Sequence, residues 1–195
     1  MDVSTLHTAE SVSAPGTVWT IDPVHSTIGF SIKHMAVATV RGRFGSFRGS
    51  IRFDADRPAA ASVEVEIDAA SIDTGIAFRD EHLRSADFFD VTAYPTIAFR
   101  STRIEVVDPL KRDRWIVVGD LTMSGVTCSV ELAVEQMGNG PELWDVEAVS
   151  FRATATISRK DFGLGYGLLL ERGGIVIGDD VKIEIDVQVV EGPIA

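Results

Sequence analysis

Cysteine is nearly absent: Cys128 stands alone among 195 residues. One thiol rules out an intrachain disulfide and any multi-cysteine metal cluster. Within a strand-like run it reads as a small buried filler. Positive charge is also scarce, with 18 Lys and Arg against 29 Asp and Glu and a net charge of −11. That average field repels a phosphate backbone, so no nucleic-acid partner is expected. Adsorption to an anionic membrane is disfavoured for the same reason, except through a local basic patch. No run approaches the ~20 apolar residues of a transmembrane helix. Met1 to Val18 holds no Lys or Arg and no apolar run of signal-peptide length, which points to the cytoplasm. Residues 1–18 read as a flexible tail, and residues 19–195 as one domain.

Signatures of catalysis and metal binding are missing too. Asp22, His25 and Ser26 fall within five positions of an extended segment and project to different faces, whereas a hydrolytic triad must converge. No Gly-x-Ser-x-Gly elbow occurs. His25 is instead expected to bond backbone in the turn after Pro23. His25, His34 and His82 lack a His-x-x-x-His spacing, and the glycines between Gly163 and Gly174 lack the Gly-Lys-Ser/Thr ending of a phosphate loop. No catalytic centre, no metal and no cofactor are expected from these residues.

What the chain does have is alternation. Ile28, Phe30, Ile32 and His34 share one parity, as do Val63, Val65 and Ile67, then Ile97 and Phe99. Cys128 to Val134, Phe151 to Ile157 and Val181 to Val189 repeat the pattern with polar residues between. Period two with one polar face is the mark of antiparallel sheet. Turn-rich clusters at Asp54–Pro58, Asp108–Asp113 and Gly138–Pro141 separate the runs. Eight or nine strands result, and closing them into a barrel hides every edge; a two-sheet sandwich is the alternative.

Two places break the pattern. Phe44 and Phe47 cannot share a face of one unbroken strand, so a bend or bulge is expected near Gly45. Residues 74–90 lack alternation and read as a short helical segment, with Thr74 and Ser85 as candidate N-caps. A barrel of about eight strands is either filled by side chains or left open for one small ligand. Large Phe30, Ile32, Phe44, Phe47, Phe53 and Phe99 favour filling; small Val130, Ala153 and Ala155 favour a tunnel. Periodicity leaves the two open.

The chain resembles the YceI-like proteins, the lipocalin-like polyisoprenoid-binding family of bacteria. The resemblance rests on motifs in the family's order: Trp19-Thr20-Ile21-Asp22-Pro23-Val24-His25-Ser26, Gly42-Arg43-Phe44, Ser71-Ile72-Asp73-Thr74 and Arg79-Asp80-Glu81-His82-Leu83 with Asp87-Phe88-Phe89-Asp90. Tyr94-Pro95-Thr96-Ile97, Gly119 to Thr127 and Ser158 to Gly163 complete the set. It implies a lipocalin-like closed antiparallel β-barrel holding a long isoprenoid chain, such as a quinone tail or polyprenyl phosphate, as carrier, store or sensor. Expected lining residues are Phe30, Ile32, Phe44, Phe47, Phe99 and Leu121, the small Val130, Ala153 and Ala155, and Leu83, Phe88 and Phe89 of the helical segment. Arg79, His82, Arg84 and Arg159 are the candidates for meeting a polar head. Residues 74–90 would then be a lid over the ligand or a simple plug. The rival readings are an enzyme acting on an isoprenoid or another apolar molecule, and a solid barrel with a surface partner. A homodimer is compatible with either class.

Overall fold

The computed structural model describes residues 17–35, 37–53, 61–111, 113–139, 148–165 and 177–192. The expected tail up to residue 16 and the expected turns at 54–58, 140–141 and 166–174 lie outside these residues. Ten strands follow in chain order: β1 (Thr17–His34), β2 (Ala38–Phe44), β3 (Phe47–Phe53), β4 (Ser62–Asp68), β5 (Ile72–Asp73), β6 (Thr96–Val106), β7 (Arg114–Met123), β8 (Val126–Asn139), β9 (Ala148–Ser158) and β10 (Ile177–Glu191). The α-helix is α1 (Ala77–Arg84), and short 3₁₀ turns occupy Ala69–Ser71 and Arg159–Phe162. Among the described residues each pairing between named strands is antiparallel, with one isolated parallel bridge at Trp19 and Gly192, and β10 returns to β1 with Ile183 opposite Phe30. The sheet is a closed barrel, not a sandwich.

Ten strands make eight staves because two pairs act as bent single strands. β2 and β3 both pair with β1, His34↔Ala38 to Ile28↔Phe44 and then Thr20↔Ser50 to Thr17↔Phe53. β4 and β5 follow the same bend, with Ile67 opposite Phe47 and Ile72 opposite Phe44. The break at Gly45 and Ser46 resets the parity, so Phe44 is buried and Phe47 packs half-buried against the same core. Thr17 and Val18, expected in the tail, are already paired with Phe53 and Arg52.

β1 carries its own irregularity. Its pairing with β10 jumps from Asp22↔Gln188 to Thr27↔Asp186, so a bulge holds Pro23 to Ser26 out of register. The Gln188 amide donates to the Ser26 hydroxyl oxygen at 3.0 Å and pins the bulge. The turn joining β7 to β8 is two residues, Ser124 (φ 50°) and Gly125 (φ 77°), the left-handed pair of a type I′ hairpin.

One end of the barrel is crossed by the segment between β5 and β6, which contains α1. Its N-cap is Ile76, and Ser85 stands at its C-terminal end. The expected N-cap role of Thr74 is reversed: its amide donates to the buried Asp80 carboxylate at 2.9 Å, so the helix residue caps the loop. Here β1, β6 and β10 meet the β1–β2 turn and the Arg159–Phe162 turn; we call this the helix end. The opposite end carries the β6–β7 turn and Trp115, and is the Trp115 end.

Candidate ligand cavity

The inward residues of β10 illustrate what the barrel encloses. Ile183, Ile185 and Val187 point inside yet are only half-buried, because they face open space and not packed neighbours. That space is a cavity of about 590 Å³, within the range of small-molecule sites. The tunnel option, left open by periodicity, is the one the fold adopts.

Glycines opposite aromatics help to set the width. A Cβ on Gly119 would lie 2.5 Å from the Phe99 ring and 2.6 Å from the Arg100 carbonyl oxygen. A Cβ on Gly42 would fall 2.4 Å from the Phe30 ring. Both rings therefore lie flat along the wall over a neighbouring strand, leaving the axis free. At the Trp115 end, Trp115 meets Phe53 and Phe151 edge-on at 6.2 and 6.1 Å. At the helix end the aromatic chain is Phe30–Phe44–Phe89, with centroid spacings of 5.7 and 6.1 Å.

The wall is asymmetric in charge. Its ionisable residues are Lys33, His34, Arg79, His82 and Arg159, all at the helix end, and no carboxylate lines it among the described residues. Arg79 donates through Nε to the Thr74 hydroxyl at 2.7 Å and through Nη2 to the Thr74 carbonyl at 2.9 Å. His82 Nε2 lies 3.1 Å from Asp87, and its ring meets Phe88 edge-on at 5.1 Å. Arg159 is 5 % exposed; its Nε donates to Gly178 O at 2.9 Å, and it reaches Leu164 O and Asp179 as well. Asp179 is held below the usual carboxylate range: a hydrogen bond from Lys160 lowers it, slight desolvation opposes, and the charges of Lys160 and Arg159 add to the lowering.

Only Lys33 and Phe78 combine solvent exposure with a place on the wall among the described residues. Both stand at the helix end, which is therefore the mouth.

Of the residues expected to line the interior, Phe30, Ile32, Phe44, Leu83, Phe88, Phe89, Phe99, Leu121, Val130 and Ala153 do so. Phe47 does not; it packs half-buried against the core without reaching the cavity wall. Ala155 shares the parity of Ala153 but is not on the wall. Arg79, His82 and Arg159 border the mouth, whereas Arg84 does not. Its guanidinium donates to the Ala70 and Ile72 carbonyls at 2.7 and 2.6 Å, groups of the turn where β4 passes into β5. Trp115 and Val117 also line the wall and were not among the expected residues. The β7 outward face also carries Ile116 and Val118, so alternation is blurred where the wall is widest in aromatic surface.

His25 also differs from expectation. Its Nδ1 lies 2.6 Å from the Asp22 carboxylate, not on backbone. Burial pushes the Asp22 carboxyl up, but hydrogen bonds from His25 and the Val24 amide outweigh it, and the pKa falls below its ordinary value. Ser26 is engaged by Gln188, so the pair has no serine partner in the bulge. Cys128 is half-buried, with its thiol 3.5 Å from the Asp161 carbonyl oxygen.

A YceI-like domain model matches residues 19–189, almost the whole barrel. The chain belongs to the YceI-like family. A UPF0312 protein of Photorhabdus laumondii is 41% identical over 138 residues, covering 71% of this chain and 70% of that protein. The barrel of this YceI-like chain is similar to the crystal structure of BcnA from Burkholderia cenocepacia, with TM-score 0.74 and 25% identity over 86% of this chain and 98% of that one. It also shares its fold with a polyisoprenoid-binding domain from Saccharophagus degradans implicated in plant cell wall breakdown, with TM-score 0.63 and 18% identity over 91% and 99% of the two chains.

Proposed function

We propose that this YceI-like barrel binds one long apolar lipid of the isoprenoid type along its axis, as a carrier, store or sensor and not as an enzyme. The observation that carries the reading is a cavity of about 590 Å³ whose wall is apolar for its length and cationic only at the mouth. An apolar tail gains roughly 0.8 kcal/mol per buried CH₂; the Trp115 indole N–H on the inner wall is buried with no hydrogen-bond partner among the described residues. A quinone or phosphate head would lie by Arg79, His82 and Arg159. The Saccharophagus domain, similar in fold, is named for polyisoprenoid binding, which agrees with this assignment.

The test is mass spectrometry of organic extracts from the purified protein. Wild type should release a long-chain isoprenoid, and Ala153→Trp, which places an indole on the cavity axis, should release none while keeping a β-type circular dichroism spectrum. Folded wild type that takes up no such lipid, even when purified with a supplied polyprenol or quinone, rejects the reading.

A further inference from the structure

The mouth lies at the helix end; the other end of the cavity is barred by side chains from three separate staves. Phe53 of β3, Trp115 of β7 and Phe151 of β9 all line the cavity, and Trp115 meets the other two edge-on, with ring centroids 6.2 and 6.1 Å apart. Around the barrel the order is β3-β4-β6-β7-β8-β9-β10-β1. Phe53 thus stands three staves from Trp115, and Phe151 stands two staves away on the other side. Neighbouring strands lie about 4.8 Å apart, so backbones three staves apart are separated by roughly 14 Å along the wall. Rings rooted that far apart meet only by reaching inward, across the axis.

Closer to the mouth the wall recedes. The same face of β7 shrinks from Trp115 to Val117 and Gly119 before Leu121, and Phe99 lies over Gly119 instead of crossing the axis. Trp115 is 5 % exposed, and its buried Nε1 has no hydrogen-bond partner among the described residues. Packing, and not a polar tether, therefore holds the indole in place. Its contribution here is size.

We infer that Trp115, braced by Phe53 and Phe151, is the floor of the cavity and sets the longest apolar chain that the barrel encloses. A tail entering at the mouth gains burial with each added carbon until its end meets the indole. Further carbons then stay outside the mouth or force the packed trio apart, at the cost of overpacking a core. The ligand is accordingly a chain of limited length with an apolar leading end, not the middle of a longer chain threaded through both ends. The inference rests on the lipid-binding reading above and adds the residue that selects chain length.

Two ligand series test it on the full chain: all-trans prenols of increasing isoprene number, and unbranched n-alkanols. Each is offered as an equimolar mixture of lengths in detergent micelles, and the lengths retained by the protein are read by mass spectrometry. Wild type should retain a distribution that peaks at one length and falls about tenfold beyond it. Trp115→Leu and Phe151→Leu, which lower the floor, should move the peak to longer chains. Val117→Phe, one inward position nearer the mouth, should move it to shorter ones. If Trp115→Leu does not fold, the other two variants decide. A wild type without a preferred length, or a peak that stays in place in every folded variant, overturns the inference and leaves the lipid reading standing. A peak among the alkanols with no prenol retained rejects the isoprenoid reading and leaves the floor standing, and retention of neither series overturns both.

Discussion

The two ends of the barrel are built from different materials. At the Trp115 end an aromatic trio packs edge to edge on strands alone, and among the described residues no ionisable side chain of that end lines the cavity. Arg114, for example, pairs with Glu135 on the outer face at 2.8 Å. At the helix end a non-strand segment is held by polar threads: Thr74 to Asp80 and Arg79, Arg84 to two carbonyls, and Ser124 to the Phe89 carbonyl at 3.4 Å. Strand pairing is cooperative along the ring, whereas separate side-chain hydrogen bonds each contribute only about 0.5–1.5 kcal/mol. The difference sets the expectation for which end opens more readily: stability should sit with the staves, and local opening with the crossing segment.

The comparison breaks most decisively at the packed end. Trp115→Ala removes a side chain only 5 % exposed between Phe53 and Phe151, and should cost about 3–5 kcal/mol in denaturant unfolding. An unchanged midpoint would mean that this end is not where stability resides. Gly119→Ala comes next, since its Cβ would press on the fixed Arg100 carbonyl. A loss of about 1–3 kcal/mol is expected, and full stability would show that the Phe99 ring and its strand yield freely.

At the helix end the expected effects are kinetic. Phe88→Ala with Phe89→Ala should speed release of a bound lipid several-fold, with the barrel still folded. Hydrogen exchange should find residues 74–90 more labile than the staves when lipid is stripped, and more protected when it is restored. Exchange and release both indifferent to lipid would make the segment a plug and not a lid. The smallest effect is acid sensitivity. Asp73 is lowered by the Gly75 amide, against slight desolvation and with help from Arg43, and Asp179 is lowered chiefly by Lys160. A carboxyl whose folded pKa is depressed stabilises above its unfolded pKa of about 3.9 and loses that contribution as pH falls through the folded value. Exchange at the helix end should therefore rise as pH falls below about 4, and the β1 bulge, where Asp22 is also lowered, should respond in the same range. Arg114, whose pKa is raised by Glu135, keeps its charge throughout that range.

Much of the strand-borne cavity wall was legible in the residues because those expectations depended on parity. Phe30, Ile32, Val130 and Ala153 lie where alternation puts them, and the Phe44–Phe47 conflict pointed to the bend at Gly45. Legibility failed where a side chain's role depends on who stands next to it. Arg84 looks no different from Arg79 in sequence, yet the turn between β4 and β5 leaves carbonyls that only Arg84 reaches. His25 found the Asp22 carboxylate because the β1 bulge turns both toward each other, a geometry absent from an ideal strand.

By itself the sequence determined the strands, their inward faces and the irregular segment, since period two and its interruptions are local properties of the chain. Closure of the ring through Phe30 and Ile183, more than 150 positions apart, was decided by edges that must be paired somewhere. Whether the interior is filled or hollow was decided only by the tertiary structure. That outcome depends on the summed volumes of eight staves and on rings such as Phe99 lying flat over Gly119 and not across the axis, which no single strand specifies.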